Sequence, residues 1–148
     1  MKLSWHIREA NVDDADQLKK CMYCAYSVYQ ARMQGKSLPP MQADYLSEIK
    51  NYPSWVVESE GRVLGGLIMM FDDNLATIAN IALDPAYQGN GIGGALMKFA
   101  EVKAKEAGFT ELQLVTHVLL DENLSLYQHL GWVETGRDET RVYMKKEL

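Results

Sequence analysis

The sequence predicts one domain of mixed α/β class, a three-layer α/β/α arrangement around a mostly antiparallel mixed sheet of about seven strands with one parallel pair. Three observations carry that expectation. Two strand-like runs, 54–59 and 62–71, flank a Glu60-Gly61 turn and continue through Asp72-Asp73-Asn74 into a third, which makes an antiparallel meander. The segment 75–116 then reads strand, glycine-rich loop, amphipathic helix, strand, the pattern of a right-handed parallel crossover. Residues 132–135 and 140–145 close the chain as a further antiparallel pair around Gly136.

In order, Leu3 to Ile7 is rich in β-forming residues and reads as a first strand ending near Arg8-Glu9. Asn11 to Asp16 supplies caps and acids for a helix start, and Leu18, Cys21, Met22, Ala25, Val28 and Tyr29 recur at helical spacing. This predicts a first helix running towards Met33 and stopped by Gly35. Ser37-Leu38-Pro39-Pro40 breaks the chain, and a shorter second helix follows over 42–49. Tyr23, Tyr26, Tyr29, Met33 and Met41 on these two helices are either core or one wall of a pocket. Gly65-Gly66 inside a strand predicts a bulge or a close backbone approach. Ile92, Ala95, Leu96, Phe99, Ala100 and Ala107 form one helical face, closed by Gly108 as C′ residue with Phe109 packing back. Residues 112–116 alternate as a strand, and Asp121-Glu122-Asn123 opens a last helix, 124–130, which stops at Gly131.

The chain has 148 residues, 47% of them hydrophobic and 24% charged, which suits one domain with a substantial core. A net charge of −5 argues against non-specific nucleic-acid binding, which needs a basic stripe. No apolar run is long enough for a membrane span, and Arg8-Glu9 falls where a signal peptide would need its apolar region. A cytoplasmic protein with no membrane or nucleic-acid partner is expected. Cys21 and Cys24 form C-x-x-C inside a helical run, without the strand-to-helix setting of a redox motif or the further ligands of a zinc site. They are expected to be packing thiols, with no metal bound.

The chemically loaded stretch is 80–96. An apolar strand, Ile81-Ala82-Leu83, meets Asp84-Pro85, then Gln88-Gly89-Asn90-Gly91-Ile92-Gly93-Gly94, then a helix. Glycines at this density let backbone N–H groups converge on one point, and the helix adds its positive end, so the loop is built for phosphate. Residues 89–94 formally satisfy the dinucleotide pattern G-x-G-x-x-G. That fingerprint should open directly from a first strand and find an acid at the end of the next; here Asp84 to Gln88 intervene and the next strand ends in Thr116-His117. A Walker A loop fails too, because no Gly-Lys-Ser/Thr occurs.

In the other frame, Gln88-x-x-Gly91-x-Gly93 after an apolar strand resembles the acyl-CoA site of the GNAT superfamily of N-acetyltransferases, whose signature is Gln/Arg-x-x-Gly-x-Gly/Ala. Asn123-Leu124-Ser125-Leu126-Tyr127-Gln128-His129-Leu130-Gly131-Trp132 resembles the same family's Asn-x-x-x-Tyr-x-x-x-Gly-aromatic segment, and the order of elements fits from Ala10 to Leu148. The resemblance implies an enzyme that uses acetyl-CoA as acyl donor and a small-molecule or peptide amine as acceptor, with homodimerisation common in such folds. It implies that the parallel pair splays, and that Ile81, Ala82 and Leu83 offer their free backbone groups to the pantetheine arm. The pyrophosphate would rest on the amides of Gly89, Asn90, Gly91, Ile92, Gly93 and Gly94, with Gln88 closing the loop. Tyr127 would be the general acid for the departing thiolate, and Asn123 would start its helix and reach the pantetheine or an ordered water.

Attack of a neutral amine on a thioester passes through an oxyanion, which a backbone N–H of Ile81 or Leu83 could stabilise. The strand 75–80 carries no Glu to serve as base. A water chain, His117 and the Asp72-Asp73 turn stay open for that task. The missing carboxylate also leaves an alternative of the same fold, a non-catalytic acyl-CoA-binding sensor or scaffold; the glycine loop leaves a third reading, a nucleotide-binding module that uses the same loop.

Overall fold

The computed structural model describes residues 3–148. Seven strands form one sheet in the order β1-β2-β3-β4-β5-β7-β6. They are β1 (His6–Glu9), β2 (Ser54–Ser59), β3 (Arg62–Phe71), β4 (Ala76–Leu83), β5 (Glu111–His117), β6 (Val133–Arg137) and β7 (Arg141–Glu147). Every neighbour pair is antiparallel except β4 with β5. The helices are α1 (Ala15–Ser27), α2 (Pro39–Gln42), α3 (Tyr45–Asn51), α4 (Ile92–Glu106) and α5 (Asp121–His129). Among the described residues no helix is long and apolar enough to cross a membrane.

Strand alternation divides the core between two faces. Val56, Val63 and Ile68 pack with Leu18, Cys21 and Met22 of α1 and Tyr45 of α3. Their neighbours Val57, Leu64, Leu67 and Met69 pack instead with Ile92, Leu96, Met97 and Ala100 of α4. The three layers predicted from the sequence are therefore present, with α1 and α3 on one side and α4 on the other. Cys21 is buried, its thiol donating to the Val63 carbonyl at 3.1 Å. Cys24 is exposed, so only one of the two cysteines is a packing thiol.

Local chemistry explains the punctuation. Glu60 and Gly61 both have positive φ (50° and 77°), the conformation a two-residue hairpin turn needs. The Asp72 carboxylate accepts from the backbone N–H groups of Asn74 and Leu75 and closes the next turn. Helix α4 ends as expected: Gly108 has φ 94°, its N–H reaches the Lys105 carbonyl, and Phe109 N–H reaches Ala104. Phe109 then stacks on Phe71 at 5.6 Å.

Three boundaries differ from expectation. Helix α1 stops at Ser27 rather than near Met33, because the backbone tightens into i→i+3 turns: Tyr29 N–H bonds Tyr26, Gln30 bonds Ser27 and Arg32 bonds Tyr29. Gly35 (φ 79°) ends that run. The expected second helix is two, α2 and α3, separated where Asp44 turns extended to cap α3 by accepting from Ser47 N–H. The first strand starts at His6 and runs through Glu9.

Candidate active site

Strands β4 and β5 pair only at their start, Ala76 with Leu112, Thr77 with Gln113 and Ile78 with Leu114, and then part. The parting coincides with a bulge at Ala79, since Met69 pairs Ile78 while Ile68 pairs Asn80. Beyond it Ile81, Ala82 and Leu83 stay paired with Leu67, Gly66 and Gly65 of β3 and face open space on the β5 side. The phase of the ladder is fixed by Asp84 N–H bonding the Leu64 carbonyl at 2.8 Å. Counting back in twos, Ala82 turns its polar groups to β3, while Ile81 and Leu83 turn theirs into the gap. Tyr26 agrees: its hydroxyl crosses from α1 to donate to the Ile81 carbonyl at 3.0 Å.

The glycine loop lies at the outer end of this gap. Gly89 (φ 86°) and Gly91 (φ 76°) adopt the left-handed conformation, and Gly91 is the N-cap of α4. A glycine offers no capping side chain, and the first intrahelical bond runs from Ala95 N–H to Gly91. The N–H groups of Ile92, Gly93 and Gly94 are thus left without intrahelical acceptors at the positive end of a fifteen-residue helix. A Cβ placed on Gly93 or Gly94 would meet nothing within 4 Å, so the loop surrounds real space. Asn90 holds the loop shut, its side-chain amide donating to the Tyr87 carbonyl at 2.9 Å. Gln88 lines the cleft beside it.

Two cavities meet at the fork. One, of about 310 Å³, is bounded by Ile81, Ala82, Leu83, Gln88, Gly89, Gly91, Ile92, Gly93, Gly94, Asn123 and Tyr127, together with Tyr26, Tyr29 and Leu126. It gathers every residue expected at a donor site except Asn90. The second, of about 230 Å³, lies deeper in the fork beneath α2 and the end of β5. Tyr26, Ile81 and Tyr127 border both.

Tyr127 is held by the stop signal of its own helix. Gly131 (φ 97°) turns the chain so that Trp132 N–H bonds the Tyr127 carbonyl at 2.9 Å and Gly131 N–H bonds Gln128. The Trp132 ring then packs against Tyr127 at 6.3 Å. Burial, with a smaller contribution from Tyr29, pushes the Tyr127 phenol up to about 12. Burial likewise raises Tyr26 far above the ordinary phenol range. Asn123 stands at the third position of α5 rather than as its cap, which is Leu120, so its side chain faces the cleft one turn before Tyr127.

Of the alternatives for the base, the Asp72-Asp73 turn is at the opposite, closed end of β4 and its Asp72 carboxylate is spent on backbone N–H groups. His117 does border the deeper cavity. Its Nδ1 accepts from Leu119 N–H at 3.1 Å, so in the neutral ring Nε2 carries the proton and is a donor. Of the five aromatic and Met residues proposed as a wall, Tyr26 and Tyr29 line the donor cleft. Tyr23 is exposed, Met41 is buried against Leu38 and Leu120, and Met33 packs beside them. The sequence reading missed Arg141 at the deeper cavity, because that placement depends on β7 inserting between β5 and β6.

Comparison with known proteins agrees with this geometry. An uncharacterised N-acetyltransferase of Escherichia coli (strain K12), YjgM, is 30% identical over 128 residues, covering 77% of each chain. Human N-acetyltransferase 8B is 31% identical over 107 residues, and the match covers 68% of this chain but only 47% of that longer protein. Among solved structures, the PaiA N-acetyltransferase of Thermoplasma acidophilum, in complex with coenzyme A, superposes with a TM-score of 0.88 at 20% identity over 99% of this chain and all of that one. The family model described as acetyltransferase (GNAT) family matches residues 20–132, which takes in the splayed strand, the glycine loop and Tyr127. The chain belongs to the GNAT acetyltransferase family.

Proposed function

We propose that this protein transfers an acetyl group from acetyl-CoA directly to a primary amine, with the donor in the cleft between β4 and α4 and the amine in the deeper cavity. The observation that carries this is the meeting of the two cavities at Tyr26, Ile81 and Tyr127, where a donor and an acceptor can touch without a covalent enzyme intermediate. Acetyl-CoA supplies an activated thioester; the protein's part is to bind, orient and handle charge.

The amides of Ile92, Gly93 and Gly94 receive the pyrophosphate, and the open edge of β4 receives the pantetheine amides. Of the edge groups, the Ile81 carbonyl already accepts from Tyr26; the Leu83 carbonyl stays open as an acceptor, and the N–H groups of Ile81 and Leu83 are donors for a pantetheine carbonyl or the developing oxyanion. Tyr127 stays protonated at neutral pH and donates to the departing sulfur. A phenol near 12 and a thiol near 8.5 in water are mismatched by about 3.5 units, or roughly 5 kcal/mol. The same dry cleft also disfavours the thiolate, so the mismatch at the site is smaller. With Nε2–H of His117 a donor, solvent takes the proton from the amine.

Replacing Tyr127 by Phe tests the assignment. Turnover, followed as free thiol release, should fall by roughly 10²-fold while acetyl-CoA affinity by calorimetry stays within about twofold. Equal loss of both would mean that Tyr127 only shapes the cleft, and acetyl-CoA binding without thiol release for any amine would favour the sensor reading.

A further inference from the structure

We infer that the acceptor is a small amine carrying a carboxylate and an apolar body, the class of the free apolar amino acids, with Arg141 and His117 as the residues that select it. The inference rests on the transferase reading and deepens it. The deeper cavity has an apolar floor, including Leu38, Ile78, Leu114 and Leu120, and no Asp or Glu among its lining residues. A polyamine or other polycation placed there would leave its second ammonium group without a counter-charge, which is costly in a half-closed apolar cavity.

What the cavity offers instead is donors. From the last paired rung, Ile78 with Leu114, the bulge at Ala79 leaves Ile81 two rungs, about 7 Å, along β4, while His117 lies three residues, about 10 Å, along β5 and so slightly further out in the fork. Arg141 pairs with His117 in the β5–β7 ladder and so lies one strand, about 5 Å, further out. An amine attacking at Ile81 therefore has His117 and then Arg141 on its far side. Both are pre-set as donors. His117 has Nδ1 engaged by Leu119 N–H, which leaves Nε2–H free. Asp138 takes the Nε and Nη2 edge of Arg141 at 3.0 and 2.9 Å, and Tyr143 packs beneath the guanidinium, which leaves Nη1 free. Asp138 offsets part of the charge but fixes the orientation, and lies outside the cavity lining. An oriented guanidinium next to a ring N–H matches a carboxylate.

The experiment is a kcat/KM comparison by thiol release with acetyl-CoA and matched acceptors: leucine against leucinamide, phenylalanine against phenethylamine, and spermidine. Each carboxylate-bearing member should exceed its carboxylate-free partner by about tenfold or more. Arg141→Gln should bring the ratio near unity and His117→Asn should narrow it, with melting temperatures confirming that both variants fold. Better turnover of the amide, of phenethylamine or of spermidine overturns the acceptor class while leaving the transferase reading intact. A preference that survives both substitutions, or no turnover of any member, also overturns it. Loss of acetyl-CoA binding by calorimetry in the unaltered protein would sink the transferase reading itself.

Discussion

Gly65 and Gly66 are adjacent in β3, and substituting each by Ala separates the fold from the site. A Cβ on Gly65 would stand 2.5 Å from the Ala82 carbonyl oxygen and 3.1 Å from Leu83 Cα, about 0.9 Å short of ordinary contact at 3.4 Å. Those are backbone atoms of the β4 arm, so relief requires the arm itself to move, and the open side is the donor cleft. A Cβ on Gly66 would meet Leu18 Cδ1 at 2.3 Å, the tip of a side chain whose Cγ is 3.6 Å away, in the core beneath α1, and Leu18 does not line the cleft. Overpacking costs about 1–3 kcal/mol in each case, and removing a strand glycine returns roughly 0.5–1 kcal/mol. Urea unfolding should therefore show a lower midpoint at unchanged slope for both variants. Displacing Ile81 and Leu83 by most of an ångström should cost Gly65→Ala about 10–10²-fold in kcat/KM, whereas Gly66→Ala should stay within about twofold. If Gly65→Ala loses stability but keeps its kcat/KM, the open edge of β4 does not position the donor.

Gly91→Ala places a Cβ at φ 76° on the N-cap of α4, which should cost about 1–2 kcal/mol and weaken acetyl-CoA binding; calorimetry with a thermal melt checks both, and unchanged affinity would contradict the loop's role. Alkaline stability follows from Tyr127. Its folded pKa, about 12, lies above the ordinary 10.0, so the folded state holds this proton more tightly and no stability is lost below pH 10. Between pH 10 and 12 the unfolded chain ionises first, and stability should fall by about 2–3 kcal/mol from this group, at 1.36 kcal/mol per unit. Tyr26 and Tyr45 shift in the same direction through burial and steepen the decline. Urea unfolding at pH 9, 10 and 11 should give a shallower slope for Tyr127→Phe; identical slopes would mean that Tyr127 ionises as freely folded as unfolded.

Features written in local chemistry were legible in the sequence. The Glu60-Gly61 hairpin, the Gly108 stop of α4 and the Asn123-to-Trp132 segment each depend on residues within about ten positions of one another. The last of these now has a physical reading: Gly131 turns the chain, Trp132 closes the turn by bonding Tyr127, and its ring fixes the tyrosine beneath the fork. What was not legible depends on distant pairing. Tyr26 read as core or pocket wall, but the acceptor of its hydroxyl lies on β4, fifty-five residues later, beyond the reach of local pattern. Arg141 reaches the deeper cavity only because β7 pairs with β5. The early end of α1 was missed for a different reason: apolar spacing continues past Ser27, but the backbone there is wound in i→i+3 turns, which periodicity does not distinguish.

The site is assembled from groups that the fold leaves unpaired: three amides of α4, alternate amides of one strand edge, and one phenol. Each is a debt in the free protein that a ligand settles, so binding should leave a pattern and not only a shift. On the phase of the β3–β4 ladder, the amides of Ile81 and Leu83 face the gap while that of Ala82 is bonded to β3. Amide hydrogen exchange, read residue by residue, should show strong protection by coenzyme A at Ile81 and Leu83 and at Gly93 and Gly94. Ala82, already protected, should change only as the whole domain does. At a ligand concentration of 100 times Kd the domain as a whole gains about 2.7 kcal/mol, which bounds that global change. Equal added protection at Ile81, Ala82 and Leu83 would mean that coenzyme A merely stabilises the domain, and the reading of β4 as a strand edge completed by the donor would fail.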